Sequence, residues 1–442
     1  MATYFLHTLG CRANQADGFE LEAELAAAGW RRTADWREAE AAVLNTCSVT
    51  AAAEAEARQW VRRLRRGRPE CRVMITGCYA ERAAEELKEL PGVDWVAGNR
   101  DKPRLAEYLL QAYAPSCQAA GEAWQAEAPG ALLQIQPRPP AAAAPAAEAE
   151  RTRPTLKVQE GCSLRCSFCI IPSTRGPGRS RSREEVLARA QRLVAQGYRE
   201  IVLSGINLGH WGRDLAGQPR LAELVELLLE RTAAGRLRLS SIETMDWDER
   251  LIGLLAHPRV ARHAHVPLQS GSDAVLRRMH RRYHPEHYAE RIARIHAAAP
   301  GAAIGADVMA GFPGESEQEF EDTLRLIEAL PLTYLHVFPF SARPGTAAAE
   351  ALASGRWAAT PEAVARRRAR RLRELSARKQ AAFARGWIGR KLSVITLAAA
   401  AAEETPALSD NYLKVGLRGR HAPQQMLEIV PQQWASGRLL AG

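Results

Sequence analysis

The sequence has no hydrophobic run of the roughly 20 residues that a membrane-spanning helix needs. Its first residues, Met1 to Leu9, also lack a basic segment followed by an apolar core and a small-residue cleavage site, so they do not indicate a secretory signal. The 442 residues are 46% hydrophobic and 25% charged, which is typical of a globular chain and excludes disordered, collagen-like and small disulfide-bonded proteins. We therefore expect a cytoplasmic protein of about three domains with no membrane partner.

Cysteine is scarce, with eight residues in the chain, and cytosolic thiols stay reduced, so disulfides are not expected. The spacing instead indicates that six of the cysteines are metal ligands. Cys162, Cys166 and Cys169 lie within eight residues, whereas Cys11, Cys47 and Cys78 are spread over a longer stretch. The remaining two, Cys71 and Cys117, have no partner pattern and are interpreted as packing or surface thiols.

Acidic residues are fewer than basic ones, 50 against 60, which gives a net charge of +10 and favours a polyanionic partner such as nucleic acid. The excess is local. Residues Glu362 to Lys391 contain eleven Lys or Arg and two Glu, and residues Arg58 to Arg72 contain seven Arg and one Glu. Solvated helix faces are the alternative interpretation for both stretches.

Alternating β-type and helical patterns predict an α/β protein. Residues 1–114 predict an N-terminal domain with a parallel sheet, and residues 115–150 are an Ala/Pro-rich linker with one edge strand near Leu132–Ile135. Residues 151–375 contain six strand–helix units, which predict a partial TIM-type barrel, (β/α)6. Short runs separated by Gly, Pro, Asp and Asn predict a small OB-like β-barrel over residues 376–442.

The triplet Cys162, Cys166 and Cys169 has the spacing C-x3-C-x2-C and follows the first predicted barrel strand. Cysteines spaced in this way on one loop can hold a 4Fe–4S cluster, which needs four ligands, so one iron stays open to a ligand that is not protein. Three buried thiols, or a zinc site without its fourth ligand, are the alternatives, although structural zinc sites usually have four protein ligands.

Cys11, Cys47 and Cys78 each lie just past a predicted strand, in Leu9-Gly10-Cys11, Asn45-Thr46-Cys47 and Thr76-Gly77-Cys78. The carboxyl ends of parallel strands share one edge of the sheet, so the three thiols are expected to converge there. This arrangement predicts a second cluster with three protein ligands. Because free cysteine is also a common core residue, packing is the alternative.

The C-x3-C-x2-C loop resembles that of the radical S-adenosylmethionine (SAM) superfamily, and the whole chain resembles the methylthiotransferase family, most closely its MtaB-like branch. Five strings carry the likeness: Leu9-Gly10-Cys11-Arg12-Ala13-Asn14-Gln15, Cys169-Ile170-Ile171-Pro172, Ile201-Val202-Leu203-Ser204-Gly205-Ile206, Pro267-Leu268-Gln269-Ser270-Gly271-Ser272 and Gly311-Phe312-Pro313-Gly314-Glu315. The resemblance implies an N-terminal cluster domain, a radical SAM domain and a C-terminal TRAM domain.

The resemblance further implies two clusters. Cys162, Cys166 and Cys169 would hold the radical SAM cluster, whose open iron binds SAM, and the other three ligands would hold an auxiliary cluster that carries sulfur. The implied reaction places a methylthio group on carbon 2 of N6-threonylcarbamoyladenosine at position 37 of tRNA, beside the anticodon. The implied partners are tRNA, an electron donor such as flavodoxin or ferredoxin, and a sulfur source; the protein is expected to be a monomer.

The ends of barrel strands are where working groups of such folds lie, so polar residues there are candidate contacts for SAM or substrate, with helix capping as the alternative. They are Ser204, Gly205, Asn207, Glu243, Gln269 and Asp307. Basic residues near the cluster loop and before the last domain are candidate RNA contacts. They are Arg175, Arg179, Arg181, Arg366, Arg367 and Arg368. The histidines, including His263 and His265, are interpreted as structural.

Two other functions fit the same residues. Within the family, the substrate would be isopentenyladenosine in tRNA or an aspartate of a ribosomal protein. Outside it, the chain would be an iron–sulfur RNA-binding protein without transferase activity. Two sets of three cysteines argue against the binding protein, because a simple binding module has no need of two clusters that each have an exchangeable iron.

Overall fold

The computed structural model describes residues 2–112, 152–398 and 403–442. The chain forms two compact units, residues 1–149 and 150–442. The linker predicted at 115–150, its edge strand at Leu132–Ile135 and Cys117 lie outside the described residues. Within the described ranges, no helix has both the length and the apolar character that a bilayer crossing requires.

The first unit contains a five-stranded sheet in which all pairs are parallel, in the order β2-β1-β3-β4-β5. Its strands are β1 (Thr3–Thr8), β2 (Arg31–Arg32), β3 (Ala41–Thr46), β4 (Arg72–Gly77) and β5 (Trp95–Ala97). Its helices are α1 (Arg12–Ala27), α2 (Ala51–Gly67), α3 (Cys78–Arg82), α4 (Ala84–Lys88) and α5 (Leu105–Ala112). The predicted parallel α/β fold is confirmed, and the short strands β2 and β5 were not predicted.

Apolar side chains on both faces of this sheet explain why it is covered by helices on each side. Every residue of β3 is buried, as expected for a central strand that packs against helices on both faces. One face, around Leu44 and Ile75, packs against α2, and the other face, around Val43 and Met74, packs against α1 and α5. This packing fixes the positions at which the strands end, and the segments that carry Cys11, Cys47 and Cys78 follow those ends.

The second unit begins with six barrel strands that follow each other in chain order. They are β6 (Thr155–Glu160), β8 (Glu200–Gly205), β9 (Arg236–Leu239), β10 (His263–His265), β11 (Ala303–Ala310) and β12 (Tyr334–Pro339). All the neighbouring pairs are parallel, and a bridge from Ser241 to His265 joins the two halves. The predicted (β/α)6 partial barrel is confirmed, with a short extra strand, β7 (Arg179–Ser180), antiparallel to β6.

Helices follow the barrel strands, as the alternating pattern predicts. They are α6 (Ile171–Arg175), α7 (Arg183–Ala195), α8 (Leu221–Arg231), α9 (Glu249–Leu254), α10 (Asp273–Arg278), α11 (Pro285–Ala298), α12 (Glu317–Ala329) and α13 (Ala347–Ala353). Local sequence fixes several of their starts. At α12, for example, Ser316 accepts a hydrogen bond from the Glu319 backbone while the Glu319 side chain accepts one from the Ser316 backbone.

The last part of the chain is a long helix, α14 (Glu362–Arg385), followed by a six-stranded sheet that is mostly antiparallel. The strands are β13 (Leu392–Thr396), β14 (Glu404–Ser409), β15 (Lys414–Arg418), β16 (Met426–Ile429), β17 (Gln433–Ala435) and β18 (Arg438–Ala441). The predicted C-terminal β-domain is confirmed as this sheet. Helix α14 continues through residue 375, so the boundary expected there falls inside one helix.

The turn between β14 and β15 packs against the barrel through a buried charge network. Arg238 pairs with Glu200 on the neighbouring strand, and both side chains are fully buried. The same guanidinium donates to the backbone oxygens of Ser409 and Asp410 in that turn, over 2.9 and 3.1 Å. Because a charged guanidinium is costly to bury without partners, this network fixes the barrel against the C-terminal sheet.

Candidate functional site

The first unit gathers Cys11, Cys47 and Cys78 at one edge of its sheet. The register pairs Thr8 with Asn45 and Thr46 with Gly77, so β1, β3 and β4 end side by side. Cys11 is exposed at the start of α1, whereas the other two thiols are buried. Ligands bind at the carboxyl edge of such sheets, and this is the edge that the three cysteines occupy.

Gly10 makes the close approach of two of these cysteines possible. It has a φ of +88°, and a Cβ at this position would lie 2.3 Å from Cys47 Cβ and 2.6 Å from Cys47 Sγ. A side chain of any size would therefore displace Cys47. Glycine is the residue that tolerates both the positive φ and the contact.

Two asparagines hold the loops that carry Cys11 and Cys47. Asn14, in the first turn of α1, donates to the backbone oxygens of Leu9, Asn45 and Thr46 over 2.8 to 3.1 Å. Asn45 returns a hydrogen bond from its side chain to the Asn14 backbone oxygen, over 2.8 Å. Since these groups are buried, the bonds satisfy strand-end carbonyls that water does not reach.

A partly buried ion pair joins the segments that carry Cys47 and Cys78. Glu54 of α2 accepts hydrogen bonds from Ser48, next to Cys47, and from Arg82 at the end of α3, over 2.5 and 2.8 Å. Asn99 donates directly toward Cys78 Sγ, over 3.6 Å. The three cysteines are therefore held by contacts between elements as well as by the sheet.

The surroundings of Cys47 favour a bound cation beside its sulfur. Burial raises the pKa of the Cys47 thiol to about 11, and the neighbouring Cys11 and Cys78 add to the increase. Bound iron would supply the positive charge that stabilises the thiolate, because metal binding deprotonates thiol ligands. The donor set fits a three-cysteine cluster.

The second unit carries the other triplet on the loop after β6. Gly161 has a φ of +67° and lies so close to the next turn that a Cβ would approach Pro177 O to 2.1 Å. The loop closes where the Cys162 backbone N–H donates to Gly176 O over 3.0 Å and that of Cys169 donates to Cys166 O over 3.1 Å. The loop is thus a compact turn that holds its three thiols together.

Arg281 lies against this loop from the far side of the barrel. Its Nη1 donates to Cys166 Sγ over 3.4 Å, and its Nη2 pairs with Glu243. Asn207 donates toward Cys162 Sγ over 3.8 Å. Arg281 was not predicted, because it lies 115 residues after Cys166 and no local pattern connects the two. Of the predicted SAM contacts, Asn207 and Glu243 are the ones at this loop.

Burial again is the largest cause of the raised pKa values of two loop thiols, Cys162 and Cys169. It raises the pKa of Cys169 to about 12, the neighbouring thiols of Cys166 and Cys162 raise it further, and the Arg281 charge opposes the shift. Three thiolates on one short loop repel one another, and a bound metal cluster would offset that repulsion. The second triplet therefore fits a cluster on the same grounds as the first.

The comparisons with known proteins agree with this geometry. Residues 156–327 match the family described as the Radical SAM superfamily, and residues 3–98 match the uncharacterized protein family UPF0004. The chain is 37% identical over 424 residues to the threonylcarbamoyladenosine tRNA methylthiotransferase MtaB of Bacillus subtilis (strain 168), covering 95% of this chain and 91% of that protein. The chain belongs to the methylthiotransferase family of radical SAM enzymes.

Other methylthiotransferases and a solved fold give the same picture. The MtaB of Aquifex aeolicus (strain VF5) is 33% identical over 96% of this chain and 98% of its own length. A tRNA-2-methylthio-N(6)-dimethylallyladenosine synthase of Sorangium cellulosum (strain So ce56) is 35% identical over 79% of this chain and 73% of its own length.

Among solved structures, the radical SAM methyltransferase TsrM from Kitasatospora setae, with cobalamin and a [4Fe–4S] cluster bound, has a TM-score of 0.55 at 16% identity. The match covers 80% of this chain and 75% of that one, and it supports the fold alone.

The other predicted SAM contacts of this methylthiotransferase lie on barrel strands or, for Gln269, just past the end of β10. Ser204 is buried on β8, where it pairs in register with Lys157. At Gly205 the space for a Cβ is filled by Gln159, 2.9 Å away, so the close approach there is to a protein side chain. Gln269 is buried with a φ of +63°, and Asp307 faces two histidines.

The predicted RNA contacts separate into exposed and buried arginines. Arg179, Arg366 and Arg367 are exposed, and Arg181 is partly buried beside Glu185. Two others are buried and paired with carboxylates, Arg175 with Glu160 and Arg368 with Glu315 and Glu317. These two side chains are shielded from solvent, and each pairs with a carboxylate from another part of the chain.

Proposed function

We propose that this protein is a tRNA methylthiotransferase that places a methylthio group on carbon 2 of N6-threonylcarbamoyladenosine at position 37, beside the anticodon. The observation that carries the proposal is the pair of three-cysteine sites, one at the carboxyl edge of the N-terminal sheet and one on the first barrel loop. Relatives of this name match nearly the full chain. The protein uses SAM and two 4Fe–4S clusters, as methylthiotransferases of this type do.

The site residues are assigned by this proposal. Cys162, Cys166 and Cys169 hold the radical SAM cluster, and the auxiliary cluster has three ligands of its own, Cys11, Cys47 and Cys78. When bound, the clusters and SAM supply one-electron chemistry, sulfur and the methyl group. A radical route suits the substrate, because the C–H bond at carbon 2 of adenine is too weakly acidic for a side-chain base.

The chain's own residues prepare the two sites. Arg281 and Asn207 donate hydrogen bonds toward the loop thiolates, which lowers the cost of gathering negative charge. Glu243 keeps Arg281 in place. Gly10 leaves the space that Cys47 needs. Positioning of this kind is what a radical reaction requires of its protein, since the cofactors carry the chemistry itself.

Several finer assignments belong to the same proposal. Contacts to SAM or substrate are assigned to Ser204, Gly205, Asn207, Glu243, Gln269 and Asp307. RNA contacts are assigned to Arg179, Arg181, Arg366 and Arg367. The domains are an N-terminal cluster domain at 1–114, a radical SAM domain at 151–375, connected to it by the linker 115–150, and a TRAM domain at 376–442. The last two domains share helix α14. The protein acts as a cytoplasmic monomer with an electron donor such as flavodoxin or ferredoxin and a separate sulfur source.

Some relatives favour a second substrate. The Sorangium protein, 35% identical, is named for dimethylallyladenosine, although it aligns with 79% of this chain against 95% for the Bacillus one. The longer and stronger match favours threonylcarbamoyladenosine. The two substrates differ in the side chain on N6, which carries a carboxylate in threonylcarbamoyladenosine and is apolar in the other.

Mass spectrometry of tRNA nucleosides tests the proposal. Cells that lack this protein should accumulate threonylcarbamoyladenosine and lose its 2-methylthio form, and the cysteine variant Cys166→Ala should not restore the product. Accumulation of dimethylallyladenosine instead would assign the second substrate. If the levels of threonylcarbamoyladenosine, dimethylallyladenosine and their 2-methylthio forms were the same with and without a protein that carries both clusters, transferase activity on tRNA would be contradicted.

A further inference from the structure

Three side chains of different barrel strands meet in the barrel at a point that the cysteine sites do not use. They are His265 at the end of β10, Asp307 on β11 and His336 on β12. Parallel register places Gly305 beside His265 and Asp307 beside His336, so the three stand next to each other across the sheet. One ligand atom from each lies within 4.8 Å of the others.

The carboxylate is at the centre of this group. Asp307 Oδ1 lies 3.4 Å from His265 Nε2 and 3.3 Å from His336 Nδ1. No well-aligned hydrogen bond to His265 Nε2 is found among the described residues, although this side chain is more than nine-tenths buried. A buried ring nitrogen that faces a carboxylate in this way requires a cation between the two groups or a proton on the nitrogen.

Ser241 sets the orientation of the His265 ring. Its Oγ lies 2.9 Å from His265 Nδ1, on the opposite side of the ring from Asp307. When Nδ1 donates its proton to Ser241, the lone pair of Nε2 points toward the carboxylate. A second partner on the outer ring nitrogen is a regular feature of histidines that bind metals, because it fixes the tautomer and the ring orientation.

We propose that His265, Asp307 and His336 form a site for a divalent transition-metal ion, separate from both cysteine sites. Two imidazole nitrogens and one carboxylate oxygen are a ligand set that zinc accepts when its remaining coordination positions are taken by water or substrate. The set contains no thiolate, so it does not compete for the ions of an iron–sulfur cluster. His336, with about half of its side chain exposed, gives access to the open positions.

We expect the open coordination positions to bind the carboxylate of the substrate. This expectation rests on the proposed function, since the side chain of threonylcarbamoyladenosine ends in a carboxylate and an apolar dimethylallyl group does not. A metal ion that is bound by one carboxylate and two neutral imidazoles keeps a net positive charge. It would therefore attract the carboxylate of a nucleoside that carries one.

Zinc analysis of the cluster-loaded protein tests the site. We expect dialysis against micromolar Zn²⁺ to leave about one zinc ion per chain with the iron content unchanged. His336→Asn and Asp307→Asn should each lower zinc retention at least tenfold. The matched control is His296→Asn, since His296 is an exposed histidine on α11, and it should keep the ion.

X-ray absorption at the zinc edge distinguishes this site from zinc held by cysteine. Nitrogen and oxygen ligands give distances of about 2.0–2.1 Å, whereas a thiolate gives about 2.3 Å. A nitrogen and oxygen shell, lost in the two variants, supports the proposal. A sulfur shell, no bound zinc, or equal retention by His336→Asn and the wild type would each overturn it. Cluster absorbance and thermal melting show that the variants are folded.

A separate binding measurement tests whether the metal ion contacts the carboxylate of the nucleoside. Zinc-loaded protein should bind threonylcarbamoyladenosine at least tenfold more tightly than metal-free protein, while adenosine should bind equally to both. Equal binding of the carboxylate-bearing nucleoside would reject this step and leave the zinc site intact. Zinc retention without any methylthiolated tRNA in cells would reject the proposed function and leave the zinc site intact.

Discussion

The guanidinium of Arg281 donates a hydrogen bond to Cys166 Sγ over 3.4 Å while it pairs with Glu243. The side chain is almost fully buried, so its positive charge acts on the loop thiolates with little screening by solvent. A buried cation beside a cluster stabilises the reduced, more negative state. Arg281 is therefore expected to raise the reduction potential of the proposed cluster that Cys166 holds.

Replacing this arginine should make the cluster harder to reduce. We expect Arg281→Gln to lower the midpoint potential of the barrel cluster by tens of millivolts, where about 59 mV corresponds to a tenfold change for one electron. An EPR-monitored redox titration measures the shift. The double variant Arg281→Gln, Glu243→Gln should recover part of it, because it also removes the partner charge. The exposed Arg277→Gln is the control, and a shift of equal size there would contradict the assignment.

Gly10 provides a test of the N-terminal site. Gly10→Ala should remove the auxiliary cluster, because its Cβ would lie 2.3 Å from Cys47 Cβ. The control is Gly29→Ala, which has a similar φ of +85° and no neighbouring atom within 4 Å. Both variants carry the strain of a positive φ, about 1–2 kcal/mol. Iron and sulfide analysis should give about four irons for Gly10→Ala and about eight for Gly29→Ala; equal values would refute the steric role of Gly10.

The two buried thiols Cys47 and Cys71 should behave differently. Burial raises the pKa of each to about 11, yet only Cys47 lies beside other cysteines. Cys47→Ala should reduce iron from about eight to about four per chain and stop methylthiolation, while cleavage of SAM to 5′-deoxyadenosine continues. Cys71→Ala should change neither. Full product formation by Cys47→Ala would remove the sulfur-carrying role from this site.

The buried pair Glu200–Arg238 should make the protein sensitive to acid. Burial alone would raise the pKa of Glu200, but Arg238 and then Arg153 and Arg236 outweigh it and lower the pKa to about 2 from 4.5. A depressed folded pKa gives stability that is complete above the unfolded value and is lost as the pH falls from about 4.5 to about 2. At about 1.4 kcal/mol for each pH unit, the loss is about 3 kcal/mol.

Chemical denaturation at several pH values measures this contribution. At neutral pH, Glu200→Gln should lower the free energy of unfolding by about 3–5 kcal/mol, because it leaves Arg238 buried without its charged partner. The exposed pair Glu226–Arg250 is the control, and Glu226→Gln should cost about 0–1 kcal/mol. Similar losses in the two variants would show that burial does not set the strength of the pair.

The arginines of α14 should separate into RNA contacts and packing residues. Arg366→Ala and Arg367→Ala should weaken tRNA binding, and the slope of log affinity against log salt should fall by about one for each phosphate that the variant no longer neutralises. Arg368→Ala should instead lower thermal stability, because its guanidinium pairs with Glu315 and Glu317. Filter binding over a salt series and thermal melting give the two readouts. An unchanged salt slope in Arg366→Ala and Arg367→Ala would show that this part of α14 is a solvated helix face without RNA contacts.

The sequence by itself determined the strand–helix alternation, the two cysteine sets and the family. These features are local: a C-x3-C-x2-C loop and a cysteine just past a strand can be read from a few adjacent residues. The rule that parallel strands end at one edge then brings Cys11, Cys47 and Cys78 together without knowledge of the structure. The short strands β2, β5 and β7 escaped this reasoning, because two or three residues carry no periodicity.

Only the tertiary structure decided which polar residues face one another. It buried Arg175 and Arg368, which resemble the exposed arginines beside them in sequence, because each meets a carboxylate from another element. It also placed Arg281 on Cys166 and gathered His265, Asp307 and His336. Each of these contacts joins residues from distant parts of the chain, and their distances depend on strand register and barrel curvature, which no local pattern of residues encodes.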